Sequence, residues 1–226
     1  MEVRIVQLLE CDPQLADGLS AEERAVAAGS LPVQGAMLKK GNWDPGLESP
    51  EPEHLGYLVC GGVLVRRVEV ARGRGIELLG RGDLLRPWQE DASSFCRASW
   101  EVLEPTTLVV LAPPVARALA RWPAISSNLV ARGVNRSRAS TAAAAIASIV
   151  GVEERLLILL WHLAERWGEP TKEGIRIPIG LPHRLLAELV GARRPSVTTA
   201  LTNLQEEGRL TGTSTGSWVL QGDPPC

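Results

Sequence analysis

The chain has 226 residues, a formal net charge of −2 and 45% hydrophobic residues, which is room for two modest domains with separate cores. It holds no run of about 18 uncharged apolar residues, which excludes a spanning helix read from sequence. Its four cysteines (Cys11, Cys60, Cys96 and Cys226) form no C-x-x-C pair, which leaves a zinc ribbon or closely spaced iron–sulfur site without support.

The start, MEVRIVQLLECDPQLADG, carries acidic residues and lacks a basic-then-apolar signal layout, so the expected compartment is the cytoplasm, with reduced thiols. No cofactor and no metal are expected. Residues Met1 to Leu31 read as a short helical start, with Ser20-Ala-Glu-Glu23 as a capping box before an Ala-rich helix. From Gln34 to Leu111, glycines and prolines punctuate the apolar runs HLGYLVC, GVLVRRVEV, GIELLG, SWEVLEP and TTLVVLA. Short β-rich runs separated by turn residues predict a sandwich or barrel. Gly61-Gly62 and Arg72 to Gly75 read as turns, and Asn42 to Glu53 as a surface loop.

A helical region follows, with Pro113-Pro114 and Trp122-Pro123 marking two starts. No proline interrupts Ala124 to Val150, and Ala142 to Ala145 favours helix strongly. A helix of about 27 residues spans roughly 40 Å, more than a small domain needs for itself. Its expected use is pairing with its copy in a second subunit, its alanines allowing close approach; the competing reading is a helix buried within one domain. Gly151 ends it, and Val152 to Trp167 reads as another amphipathic helix.

The most informative stretch is Leu181 to Leu210, LPHRLLAELVGARRPSVTTALTNLQEEGRL. One helix runs from about His183 to Val190, and Gly191 breaks it as a residue free to adopt positive φ does. A second opens at Arg193-Arg194-Pro195, where a proline in the first turn costs no hydrogen bond. Val197, Leu201 and Leu204 recur at core spacing, which leaves Arg194, Thr198, Thr199 and Thr202 for solvent or a partner. Ala187, four residues before Gly191, lets the two helices approach closely. That is a helix-turn-helix, whose second helix enters a DNA major groove. Upstream, Ile175 to Ile179 alternates like a strand. Downstream, Arg209 to Leu220 reads as a hairpin turning at Ser214-Thr-Gly216, in the place of a wing. The competing reading is an ordinary helical hairpin packed in a larger core, but the Arg-Arg-Pro entry and the Thr-rich outer face have no packing purpose.

Charge qualifies this picture. From Glu169 onward there are six Lys/Arg (Lys172, Arg176, Arg184, Arg193, Arg194, Arg209) and six Asp/Glu (Glu169, Glu173, Glu188, Glu206, Glu207, Asp223). DNA-binding domains usually carry a basic excess. Here the positive charge is local, at Arg184, Arg193 and Arg194, which predicts modest non-specific affinity and a need for dimerisation.

A β-rich N-terminal half, a long helix and the stretch ELVGARRPSVTTALTNLQEEGRL together resemble the cyclic-AMP receptor protein/fumarate-nitrate regulator (CRP/FNR) family of bacterial transcription factors, over nearly the whole chain. The resemblance implies an α+β architecture. Residues 1–112 would be a jelly-roll β-barrel sensor of cyclic-nucleotide-binding type with an N-terminal helix. Residues 113–150 would be a helical connector with the dimerisation helix, and residues 151–226 a winged helix-turn-helix. It further implies a homodimer on a palindromic double-stranded operator, with RNA polymerase as a further partner, and no membrane. Family members often read bases with an Arg, an adjacent Glu and a second Arg one turn on. Arg194 matches the first, Pro195 replaces the Glu, and Thr199 replaces the second Arg. Arg193 and Ser196 fall where relatives touch phosphates, and Arg184, Thr198 and Thr202 complete the expected DNA-facing set.

The sensor cassette departs further. Cyclic-nucleotide binders of the family carry Gly-Glu and then, ten residues after that Glu, an Arg followed by Ser, Thr or Ala. Here Arg86-Pro87 stands in place of Gly-Glu, so the ribose ligand is missing, and Pro87 removes an N–H that a phosphate could use. Arg97-Ala98 lies at the matching distance, and Ser140-Thr141 falls near the adenine-contacting pair. Arg97, Ser140 and Thr141 are therefore the candidate ligand residues, although Arg97 also fits a surface or ion-paired arginine. Control by cyclic AMP is not expected. The N-terminal cysteine cluster of the family's oxygen sensors is absent too.

Two other classes compete. Enzymatic activity needs a nucleophile–base pair or convergent acids, and His54, His162 and His183 sit in no such motif, so no catalytic residue is assigned. A helical protein-interaction module without DNA binding, or a regulator of this family type answering to an unidentified small ligand, remains open.

Overall fold

In the computed structural model, which describes residues 2–45, 53–88, 95–213 and 216–225, the chain begins as a strand rather than a helix. β1 (Glu2–Gln7) is rich in β-branched residues and pairs antiparallel with β2 (Pro32–Leu38), Ile5 opposite Gln34. Between them lie α1 (Leu8–Cys11), a 3₁₀ turn at Pro13–Ala16 and α2 (Ala21–Ser30). The expected capping box opens α2. The Ser20 hydroxyl accepts from the Glu23 amide at 3.2 Å, and the Glu23 carboxylate accepts from the Ser20 amide at 2.8 Å.

With β4 at Gly56–Val70, β5 at Gly73–Leu79 and β7 at Cys96–Leu111, the sheet of the N-terminal half runs β1-β2-β7-β4-β5, with β3 (Gly41–Trp43) on β7 and β6 (Leu84–Leu85) on β4. β1 and β5 stand at the ends of that path. The β-rich, cyclic-nucleotide-binding-like domain expected from the sequence is therefore present as one antiparallel sheet whose hydrogen-bonded path does not close among the described residues. β3 falls in the stretch expected to be loop, where Trp43 aligns with Trp100; residues 46–52 of that stretch lie outside the described ones.

One expected turn, Gly61-Gly62, proves to be strand interior. β4 (Gly56–Val70) passes straight through Gly61-Gly62, and β7 (Cys96–Leu111) straight through Pro105. The register shifts between Val59 and Leu64 mark a bulge. Gly62 sits there at φ 82°, and a Cβ on it would collide with the Pro105 carbonyl and Thr106. Proline and glycine thus face each other where the ladder is already broken, which is where a strand tolerates them. The β4–β5 hairpin, with β5 at Gly73–Leu79, turns at Ala71-Arg72.

The domain has two apolar centres. Leu38, Val59, Leu64, Leu79 and Val102 fill the sheet interior beside Trp100. Leu8, Leu15, Leu31, Leu58 and Leu111 form the second centre with Ile125. Each such buried aliphatic side chain contributes about 1.5–3 kcal/mol. α3 (Pro113–Leu119) leads into α4 (Pro123–Ala147), the long helix foreseen from the sequence. At 25 residues it spans about 37 Å.

The chain divides into two compact units, 1–138 and 139–226, and α4 runs through the division. Within the second unit α5 (Val152–Trp167) buries Leu156, Leu157, Leu160 and Leu163. A small sheet follows the order β10-β11-β9-β8, built from Leu210–Gly212, Trp218–Leu220, Gly174–Ile177 and Glu169–Thr171. Among the described residues no helix is long and apolar enough to cross a membrane.

Candidate nucleic-acid interface

α6 (His183–Leu189) and α7 (Arg194–Glu206) form the two helices of the motif. α6 buries Leu185, Leu186 and Ala187. Its end is closed by the Val190 amide on the Leu186 carbonyl at 3.0 Å and the Ala192 amide on the Ala187 carbonyl at 2.9 Å. Gly191 takes φ 60°, the left-handed conformation that ends the helix in one residue. Arg193 is the N-cap of α7, and Pro195 lies in its first turn.

α7 buries Val197, Ala200, Leu201 and Leu204. The opposite face leaves Arg194, Ser196, Thr198, Thr199 and Thr202 exposed, with Arg193 exposed just before them. The threonine hydroxyls donate back into their own helix: Thr198 to the Arg194 carbonyl at 3.1 Å, Thr199 to Pro195 at 3.2 Å and Thr202 to Thr198 at 3.1 Å. The hydroxyl hydrogens of Thr199 and Thr202 are thereby used, leaving their oxygen lone pairs and methyls outward, while the Thr198 hydroxyl is shared between the Arg194 carbonyl and His183 Nδ1. Arg184 is exposed on α6, but its Nε donates to Glu188 at 3.2 Å, so part of the local positive charge is already answered.

Five polar contacts that sequence reasoning missed hold the motif in place. Arg155 of α5 donates to the Val190 carbonyl at 2.8 Å and to the Ala147 carbonyl at 3.2 Å, tying the end of α6 and the end of α4 to α5. Asn203 of α7 donates to Glu153 of α5 at 2.8 Å. His183 Nδ1 lies 3.0 Å from the Thr198 hydroxyl, and its ring lies beside Trp218, whose Nε1 donates to the Leu181 carbonyl at 3.2 Å. An arginine on an amphipathic helix and a histidine at a helix start carry no sequence signal of these roles.

The wing strands β10 and β11 pair Leu210 with Leu220 and Gly212 with Trp218. The Thr213 hydroxyl accepts from the Ser217 amide at 3.1 Å, which draws the tip together, while residues 214 and 215 of the expected turn lie outside the described ones.

The candidate ligand residues are not gathered in one unit. Arg97 is exposed on β7 opposite Glu69, in the first unit, and Ser140 and Thr141 are exposed on α4 in the second. Arg86 turns inward, donating to the His54 carbonyl at 3.2 Å with its guanidinium 5.7 Å from the Trp88 ring, and Pro87 is buried. His54 lies between β-strands but is buried, Nδ1 accepting from the Gly56 amide at 3.1 Å and the ring packing edge-on to Tyr57 and Trp88. His162 pairs with Glu165 on the same helix. Among the described residues no group of three or more His, Cys, Asp or Glu could hold a metal.

Residues 154–221 match the Crp-like helix-turn-helix domain. No curated protein matches the chain by sequence. Solved structures match along most of it. A cyclic nucleotide-binding domain containing protein from Listeria monocytogenes superposes with TM-score 0.67 at 18% identity, covering 83% of this chain and 88% of that one. FixK2 from Bradyrhizobium japonicum gives 0.62 at 17%, covering 84% and 93%. A CRP family transcriptional regulator from Thermus thermophilus gives 0.59 at 19%, covering 83% and 92%.

Proposed function

We propose that this chain, which carries a Crp-like helix-turn-helix domain on the fold of the CRP/FNR regulators, acts as a homodimeric, sequence-specific DNA-binding transcription regulator that is not controlled by cyclic AMP. The observation that carries the reading is the outer face of α7. It presents Arg194, Ser196, Thr198, Thr199 and Thr202 on a helix whose other face is spent on the core. Arg194 reads a guanine through its two-pronged guanidinium. Arg193 and Ser196 hold phosphates, and Arg184 adds charge at the rim. With their hydrogens turned back into the helix, Thr199 and Thr202 offer acceptors to an amino group, and Thr198, Thr199 and Thr202 offer methyls to thymine. In this reading residues 1–112 sense, 113–150 connect and dimerise, and 151–226 bind the operator. The fold is one of regulators, and no residue is assigned a catalytic role.

Support for the dimer comes from α4. Val130 and Val134 are 69% and 46% exposed on one stripe, which continues through the small exposed residues Ser137, Thr141, Ala144 and Ala145. Apolar and small residues repeating at helical spacing and left in solvent suit a close parallel pairing with a second copy. Support for independence from cyclic AMP comes from the cassette. Pro87 stands at the sequence position of the family's ribose-binding Glu, and Arg86 is occupied by the His54 carbonyl and the Trp88 ring. If an anionic effector binds instead, Arg97 in the first unit and, separately, Ser140 and Thr141 in the second are the residues to test.

The test is selection of bound sequences from a random DNA pool with the purified chain, with and without cell extract, followed by mobility shift on the winners. An enriched palindrome supports the reading. No enrichment and no shift would replace it with the helical interaction module.

A further inference from the structure

Two cysteines that the DNA-binding role leaves unused lie together in the first unit. Cys11 is the last residue of α1, and Cys60 lies in β4 at the start of its bulged segment. Both are half-buried, and both pack against the same apolar cluster, built around Leu8, Leu15 and Leu58. The two thiols interact electrostatically, the Gly82 amide donates to the Val59 carbonyl next to Cys60 at 2.8 Å, and the Cys60 thiol donates to the Leu58 carbonyl at 3.8 Å. The Arg81 guanidinium donates to the Cys11 carbonyl at 3.2 Å, which puts a positive charge beside the pair.

We propose that Cys11 and Cys60 are a hydroperoxide-oxidised dithiol that closes to an intramolecular disulfide and acts on α4 through Asp12. The Arg81 guanidinium stands at Cys11, while burial, with Cys11 next in effect, pushes the Cys60 thiol up, so the first attack is assigned to Cys11 and the second to Cys60. The Cys11 thiolate attacks an oxygen of the hydroperoxide. The O–O bond breaks, the alcohol leaves after taking up a proton, and Cys11 becomes a sulfenic acid. Cys60 Sγ then attacks Cys11 Sγ. The S–S bond forms, the S–OH bond breaks, and the departing hydroxide takes the Cys60 proton and leaves as water. Two electrons pass from the two sulfurs to the peroxide, and the products are one disulfide, one alcohol and one water.

The consequence for α4 is local. Closing the two sulfurs to about 2.05 Å pulls on Cys11, and the next residue is Asp12. Asp12 is 1% exposed, and its two carboxylate oxygens accept from Arg132 Nη2 of α4 at 3.1 and 2.9 Å. Movement of Cys11 is therefore movement of an anchor of α4.

The test treats the reduced full chain with hydrogen peroxide, blocks remaining thiols with N-ethylmaleimide, and maps the digest by mass spectrometry. The expected result is a peptide pair joined through Cys11 and Cys60, about two mass units below the sum of the reduced peptides and separated again by dithiothreitol. Cys11→Ser and Cys60→Ser should abolish the pair, and Cys96→Ser should keep it. Recovery of both Cys11 and Cys60 as maleimide adducts, at a peroxide dose that oxidises Cys96, would overturn the site. Hydrogen exchange then reads the coupling. Amides around Arg132 should change their exchange rate severalfold on oxidation in the wild type and not in Cys60→Ser. Equal rates in oxidised and reduced wild type would overturn the action on α4.

Discussion

Arg136 of α4 grips Glu77 of β5 with two parallel hydrogen bonds, Nε to Oε1 and Nη2 to Oε2, both 2.9 Å long. Nη1 of the same guanidinium donates to the Leu84 carbonyl at 3.1 Å, and Arg66 of β4 approaches Glu77 at 3.3 Å. Four residues earlier on the same face, Arg132 holds Asp12. The first half of α4 is thus fixed to its own domain by buried charge, while Val130 and Val134 are left outside. One helix face does the anchoring, and another is left exposed.

Glu77→Ala should therefore destabilise the first unit by about 3 kcal/mol, because it leaves a mostly buried guanidinium without its carboxylate. Replacing both partners, Glu77→Leu with Arg136→Met, should cost less than the single change. Urea unfolding of the three variants measures this. Equal losses in the single and double variants would show that the pair does not act as a unit.

The Ser20–Glu23 box makes a pH-dependent contribution. The Ser20 amide first, and the Ser20 hydroxyl with it, hold the Glu23 carboxyl below its ordinary range. The folded value lies below the unfolded one. The cap is therefore at full strength above the ordinary carboxylate range and is lost as pH falls through the folded value. A carbon-detected NMR titration should give Glu23 a midpoint below that of an unfolded peptide, and Ser20→Ala, which removes the hydroxyl and keeps the amide, should bring it part of the way back. A wild-type midpoint at the peptide value counts against the box in solution.

Dimerisation through α4 predicts that Ala145→Glu weakens self-association without unfolding the chain. Ala145 is exposed in the single chain, and the change puts two like charges against each other in a close seam. Light scattering at micromolar concentration should show a dimer for the wild type and monomer for the variant. A wild-type monomer rejects the interface.

Titration calorimetry with cyclic AMP and cyclic GMP should show no binding at micromolar ligand, because Pro87 stands where the ribose carboxylate would be. Saturable heat at that concentration would overturn the assignment of the cassette as degenerate.

Base reading by α7 predicts different losses for neighbouring arginines. Arg194→Ala should cost about 1–3 kcal/mol per half-site and relax preference at one base pair. Arg193→Ala should weaken all sequences alike and flatten the salt dependence. Binding to the selected operator and its single-base variants at two salt concentrations decides. Unchanged affinity and preference in Arg194→Ala would remove α7 from the major groove.

What was legible in the sequence was local. Gly191 and Pro195 fix the end of one helix and the start of the next by φ and by a missing N–H, so α6 and α7 could be read from a short window. The same holds for the capping box and for the unbroken run that becomes α4. What failed in the sequence was long-range. Gly61-Gly62 and Pro105 look like punctuation in a window. They are strand interior because β4 and β7 lie side by side and bulge at the same place. β1 and β3 exist because β2 and β7 offer them free edges. The partners of Arg132, Arg136 and Arg155 lie 120, 59 and 35 residues away along the chain. Periodicity and end chemistry depend on neighbours within about a turn or two of chain. The pairing of a strand edge or a buried charge depends on which segments meet in space, and that was decided by the tertiary structure.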